Sequence, residues 1–88
     1  MKMKMKSKEE IKMKYDALKA RKLTPHFGVR NSKLYGEIDA IEWVANKKQE
    51  VIARELKLLK EINLERLTPT SAVRIRGKIT ILEWVLGK

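Results

Sequence analysis

Cations dominate the reactive side chains of this 88-residue sequence. Lys2, Lys4, Lys6, Lys8, Lys12, Lys14, Lys19, Arg21, Lys22 and Arg30 crowd the first third, and Arg74, Arg76 and Lys78 form a second group near the C-terminus. Ammonium and guanidinium groups at this density suit phosphates: they neutralise and position a polyanion without reading its bases. The placement is uneven. Residues 1–33 hold eleven basic against three acidic groups, residues 34–63 five against six, and residues 64–88 five against two, within a net charge of +10. A field of this kind speeds encounter with polyanions. The same lysines also serve simply to keep a small protein in solution.

Other chemistries lack their residues. His26 is the only histidine and there is no cysteine, so a zinc site has no ligand set and disulfides are excluded. Glu37, Asp39, Glu42 and Glu50 fall on one expected helix, yet Glu37 and Asp39 are two apart and point in different directions. A solvated face is the expectation for them. Ser32 forms no defined arrangement with His26 and an acid, and the four glycines are too scattered for a phosphate-cradling loop. Neither an enzyme, nor a metal, nor a cofactor is expected.

The elements that must carry these charges are helices. Ser7 and Glu10 have capping-box spacing, and Ile11, Tyr15 and Leu18 then form one apolar stripe, which predicts a helix over 7–22. Residues 1–6 read as a disordered basic tail. Thr24-Pro25 has the look of an N-cap and N1 pair, with Gly28 cutting it short; a start at Asn31 or Ser32 is favoured for the next helix. Leu34, Ile38, Ile41 and Ala45, resumed by Ile52, Leu56 and Leu59 after Lys48, predict one long central helix over 32–62. At 1.5 Å per residue its stretch from Lys33 to Glu61 would be about 43 Å long, with Asn63 as a left-handed terminator. Thr68-Pro69 opens the third helix, 68–86, and Gly87 closes it.

A repeat runs through the last two of these. Gly36-Glu37-Ile38-Asp39-Ala40-Ile41-Glu42-Trp43-Val44 returns as Gly77-Lys78-Ile79-Thr80-Ile81-Leu82-Glu83-Trp84-Val85, and upstream Leu23-Thr24-Pro25 answers Leu67-Thr68-Pro69. The alternation of Val73, Ile75, Ile79 and Ile81 around Arg76-Gly77 resembles a hairpin. The first copy runs on into a helical pattern and decides for helix. Wound at 100° per residue, each copy carries two opposite apolar faces. Leu34, Ile38, Ile41 and Ala45 oppose Gly36, Ala40 and Trp43; Ile75, Ile79, Leu82 and Leu86 oppose Val73, Gly77, Ile81 and Trp84. A surface helix needs only one stripe.

Glycine inside a helix costs about 1 kcal/mol against alanine, so Gly36 and Gly77 are expected at close helix crossings. Gly36, Ala40, Trp43, Val73, Gly77, Ile81 and Trp84 then form an interface with a second copy or a partner, the tryptophans covering the contact. The alternative is that the two copies pack on each other in one chain with both tryptophans in the core.

The fold class expected is therefore all-α, a three-helix bundle with a long central helix in one domain over 7–88, built from a duplicated unit and assembled as a homo-oligomer. Its function is expected to be non-enzymatic binding of nucleic acid without sequence specificity. Arg74 and Lys78 share one side of a helix and leave few polar groups to read base edges. The competing reading is an oligomeric adaptor, inhibitor or assembly factor, of a kind common in phages and mobile elements, that acts through the Gly/Trp faces or against an acidic protein surface. No apolar run approaches the roughly 18 residues needed to cross a bilayer. The Met/Lys alternation at the N-terminus lacks the period of a membrane-lying helix. A cytoplasmic location without membrane contact is expected.

Overall fold

The computed structural model describes residues 5–22 and 29–87. Helices account for most of them: α1 (Lys8–Lys22), α2 (Val29–Val44), α3 (Gln49–Glu61), a 3-10 turn at Leu64–Arg66, and α4 (Pro69–Val85). No strand occurs among the described residues. The alternating apolar stretch around Gly77 is helix, as the repeat required.

Local chemistry explains most of the boundaries. The Ser7 hydroxyl accepts from the Glu10 N–H at 3.2 Å and donates to the Glu10 carboxylate at 3.2 Å, so two otherwise unpaired groups close the start of α1. At α4 the Thr68 hydroxyl accepts from the Ser71 N–H at 3.2 Å, with Pro69 as the first helical residue. Gly87 ends the chain's last turn at φ 76°, a left-handed conformation that favours glycine. Met5 and Lys6, assigned to the tail from sequence, are placed: Met5 packs against the core, and the Lys6 N–H donates to the Val85 carbonyl at 2.7 Å. Residues 1–4, and with them Lys2 and Lys4, lie outside the described residues, as do Thr24, Pro25 and His26.

The long central helix is the main correction. The expected helix over 32–62 is two helices, separated by a turn at Ala45 and Asn46 and an extended Lys48 at φ −78°, ψ 154°. Its physical reason is burial. An unbroken helix of about 43 Å exceeds the longest dimension of the molecule, 38 Å. It would carry Ile52, Leu56 and Leu59 beyond the core. Broken, the chain folds α3 back, and those side chains fall to 0%, 2% and 8% exposure. Each full burial of such a side chain is worth about 1.5–3 kcal/mol, which exceeds the loss of a few helical hydrogen bonds to water. Lys48, which interrupts the apolar spacing, stands where the chain turns.

Two smaller differences follow similar lines. The second helix begins at Val29, not at Asn31 or Ser32; no proline or glycine lies between Val29 and Ser32 to prevent one more turn. Asn63 is not left-handed: at φ −79°, ψ 97° it caps the 3-10 turn by accepting from the Glu65 N–H at 3.1 Å.

The most extensive contact in the molecule is between α2 and α4. At their crossing the two glycines of the repeat meet the opposite backbone. A Cβ at Gly36 would fall on the Arg74 carbonyl oxygen, with the carbonyl carbon 2.8 Å away. A Cβ at Gly77 would fall on the Lys33 carbonyl oxygen, with the Glu37 nitrogen 3.1 Å away. Each contacted residue stands three positions before the other glycine, so the two contacts are reciprocal. Helix α2 is consequently buried on two sides: Gly36 and Ala40 with their neighbours on one, and Leu34, Ile38 and Ile41 on the other. The single bundle contains both apolar faces.

Candidate nucleic-acid interface

The cations of α1 do not share one face. Lys8, Lys12 and Lys19 recur with the helical period on one edge, beside Tyr15, and all three are exposed. Lys8 and Lys12 border a groove of about 410 Å³ between α1 and α2, floored by Ile11, Ile41 and Ala45. Within it the Tyr15 hydroxyl donates to the Glu42 carboxylate at 2.8 Å, fixing the ring against α2. Lys19 reaches back over the Tyr15 ring at 5.0 Å. On the opposite edge Lys14 lies 5.6 Å from the Trp84 ring centre, and Lys6 approaches the same ring at 5.5 Å. A partly buried indole between two ammonium groups holds both by cation–π attraction, worth about 0.5–1 kcal/mol each where water has access. Arg21 is exposed, Lys22 ends α1, and Arg30 lies in the first turn of α2.

The C-terminal cations are divided. Arg74 donates through Nε and a terminal nitrogen to one Asp39 oxygen, at 3.2 and 2.9 Å. Lys78 borders a recess with Asp39 and Glu55. Arg76 stays exposed, next to Lys33, Thr80 and the apolar Val73 and Ile79 in a shallow depression on the α2–α4 surface. Sequence spacing had grouped Arg74, Arg76 and Lys78. The structure pairs Arg74 with Asp39, sets Lys78 on the rim of a recess, and leaves Arg76 facing solvent beside Lys33, a neighbour that spacing alone could not supply.

Ion pairs are few. Among the described residues Arg74–Asp39 and Lys60–Glu83, at 2.9 and 3.0 Å, are the only two. Lys8, Lys12, Lys14, Lys19 and Arg21 therefore have no carboxylate partner among the described residues. The acidic residues of α2 form no shared centre: Asp39 is held by Arg74 and Glu42 by Tyr15, while Glu37 is buried. No group of three or more histidine, cysteine or acidic side chains capable of holding a metal occurs among the described residues.

The residues expected at an intermolecular interface are divided between the interior and the surface of the chain. Gly36, Ala40, Gly77 and Ile81 are buried, and Val73, Trp43 and Trp84 are half-buried. The tryptophans do not share one role. Trp43 borders the recess between α2, α3 and α4 with Leu59 and Leu82, whereas Trp84 faces the lysines of the N-terminal segment and α1. No helix among the described residues is long and apolar enough to cross a membrane. Compared with known protein families, curated proteins and solved structures, the chain matches none.

Proposed function

We propose that this chain is a small non-enzymatic protein that binds nucleic-acid phosphates, without reading base sequence, through its basic N-terminal third. The observation that carries the reading is the unpaired charge of α1: no carboxylate pairs with Lys8, Lys12, Lys14, Lys19 or Arg21 among the described residues. Lys8 to Lys19 covers about 16 Å of helix axis, the length of about five phosphates along one strand at 3.4 Å each. The pairing of Arg74 with Asp39 favours backbone contact over base reading, because it removes a guanidinium from the free donors of α4.

The competing adaptor reading keeps the basic surface, against an acidic protein, but finds the glycines of its Gly/Trp faces buried. A partner acting through the Gly/Trp faces would first have to separate α2 from α4, and an oligomer built on them faces the same obstacle. The reciprocal glycine contacts support a different use of the repeat, as two copies of one unit packed on each other within a single chain.

The test is fluorescence anisotropy with a random-sequence duplex across salt. About five phosphate contacts give a log–log slope near −4 to −5, which is about a 500-fold loss of affinity between 50 and 200 mM salt. Neutralising Lys8, Lys12 and Lys19 to Gln together lowers the slope by roughly 3 and weakens all sequences alike. Absence of binding at 50 mM salt, or a slope untouched by the triple variant, refutes the reading.

A further inference from the structure

Four large apolar side chains remain exposed among the described residues, and three of them belong to one stripe. Val51 is 38% exposed, Leu58 53% and Ile62 39%, while the fourth, Met13, stands apart on α1. Val51 and Leu58 are seven positions apart on α3, and Ile62, the C-cap residue that follows the helix at φ −68°, ψ 132°, comes four later; carried on at 100° per residue the three fall within about 40° of one another. With Glu55 between them the spacing is 4-3-4, that of a helix–helix seam. The stripe lies beside the face that α3 already buries through Ile52, Leu56 and Leu59. A surface helix needs one apolar stripe. Here the second has nothing over it, although single exposed apolar residues elsewhere need no explanation.

The flanking charges indicate what fits. Arg54 and Glu61 are also seven apart, on one side of the stripe, both exposed and neither in an ion pair among the described residues. Lay a second α3 antiparallel on the first with the axis between residues 57 and 58, and the two Leu58 side chains meet near it while Val51 of one comes within about two residues of Ile62 of the other. Arg54 then comes level with Glu61, and twofold symmetry makes that pair twice. A parallel twofold places the Arg54 and Glu61 flanks of the two copies on opposite sides of the seam, where they cannot pair with each other.

The geometry points to a second copy of this chain as the occupant, docked through α3 in antiparallel sense. The contact is small: two to three turns of helix per partner fall short of the roughly 800 Å² per partner of a standard stable interface. The dimer is accordingly reversible and dependent on concentration. This self-association is independent of phosphate binding and uses none of the Gly/Trp faces.

Sedimentation of the full chain without nucleic acid, from about 10 μM to about 1 mM in 0.15 M salt, tests it. A monomer–dimer equilibrium is expected, with Leu58→Glu raising the dissociation constant by about 30-fold or more, as loss of a central contact does. The melting temperature of that variant at low concentration stays the same, because Leu58 is half-exposed in one chain. Arg54→Glu and Glu61→Arg each weaken the dimer by about 5- to 10-fold, and combining them restores it to within about 3-fold. A chain that stays monomeric to 1 mM overturns the proposal and leaves the stripe to a different protein. A dimer indifferent to Leu58→Glu overturns it too, and a double swap no better than the singles refutes the antiparallel pairing.

Discussion

The two copies of the repeat are held alike at their glycines and differently at their tryptophans. Gly36 meets the backbone of Arg74 and Gly77 meets the backbone of Lys33, each contact the mirror of the other. Six residues on, the likeness ends. Glu42 takes the hydroxyl of Tyr15 from α1, whereas Glu83 takes the ammonium of Lys60 from α3 at 3.0 Å. Trp43 has Lys47 at 5.5 Å from its own end of the chain, and Trp84 has Lys6 and Lys14 from the N-terminal segment. The crossing is backbone against backbone, so only glycine meets it and the two copies must agree there. The flanks are side chain against whichever helix lies alongside, and α1 and α3 differ.

The strongest way to break the likeness is to fill the crossing. Gly36→Ala gains about 1 kcal/mol of helix propensity, and a rule based on propensity alone would raise the melting temperature. The added carbon falls on a carbonyl oxygen that neighbouring turns of helix hold in place. Overpacking of this kind costs about 1–3 kcal/mol, and more where the backbone must move. We expect a net loss of about 2 kcal/mol or more for Gly36→Ala and a similar loss for Gly77→Ala, with leucine at either site preventing folding. Urea denaturation followed by circular dichroism reads both. Losses that differ by more than about 1 kcal/mol would show that the two contacts are not equivalent, and a gain at either would remove the crossing from the account.

The glycines were legible in the sequence because a helical glycine repeated at the same place in two amphipathic units has few other uses. Ser7, Thr68 and Gly87 were legible for the same reason, each being a local signal that needs no knowledge of the rest of the fold. The break at Ala45–Lys48 was not. Heptad spacing on both sides of it is satisfied by one helix as well as by two, and only the dimension of the core decides between them. The candidate interface divided in the same manner. That α1 is cationic was visible from composition, but whether Arg74 points to phosphate or to Asp39, and that Arg76 lies by Lys33, depends on residues more than thirty positions away.

Helix α3 offers the second and smaller contrast, now within one element. Ile52→Ala removes a side chain with 0% exposure and is expected to cost about 2–4 kcal/mol. Leu58→Ala, one turn and a half further along, is expected to cost about 0.5 kcal/mol or less in dilute solution. Equal losses would mean that α3 packs by its other side and that its exposed stripe has been misplaced.

The smallest effects separate the two glutamates. Tyr15→Phe deletes a short hydrogen bond from a half-buried phenol to an exposed carboxylate, worth about 1 kcal/mol. Lys60→Ala deletes an ion pair whose side chains are 49% and 36% exposed. Water and salt screen such a pair, and its expected contribution is about 0.5 kcal/mol or less. Salt sharpens the difference. At 1 M the Debye length falls to about 3 Å, comparable with the Lys60–Glu83 distance, so the Lys60→Ala loss should disappear. The Tyr15 hydroxyl is neutral and bonds by direct contact, so the Tyr15→Phe loss should persist nearly unchanged. Melting each variant at 0.05 and 1 M salt therefore asks whether the Glu-Trp step is anchored to α1 by a hydrogen bond and to α3 merely by charge. A Tyr15→Phe loss that vanishes with salt would place both copies on the same weak footing and extend the likeness of the glycines to the flanks.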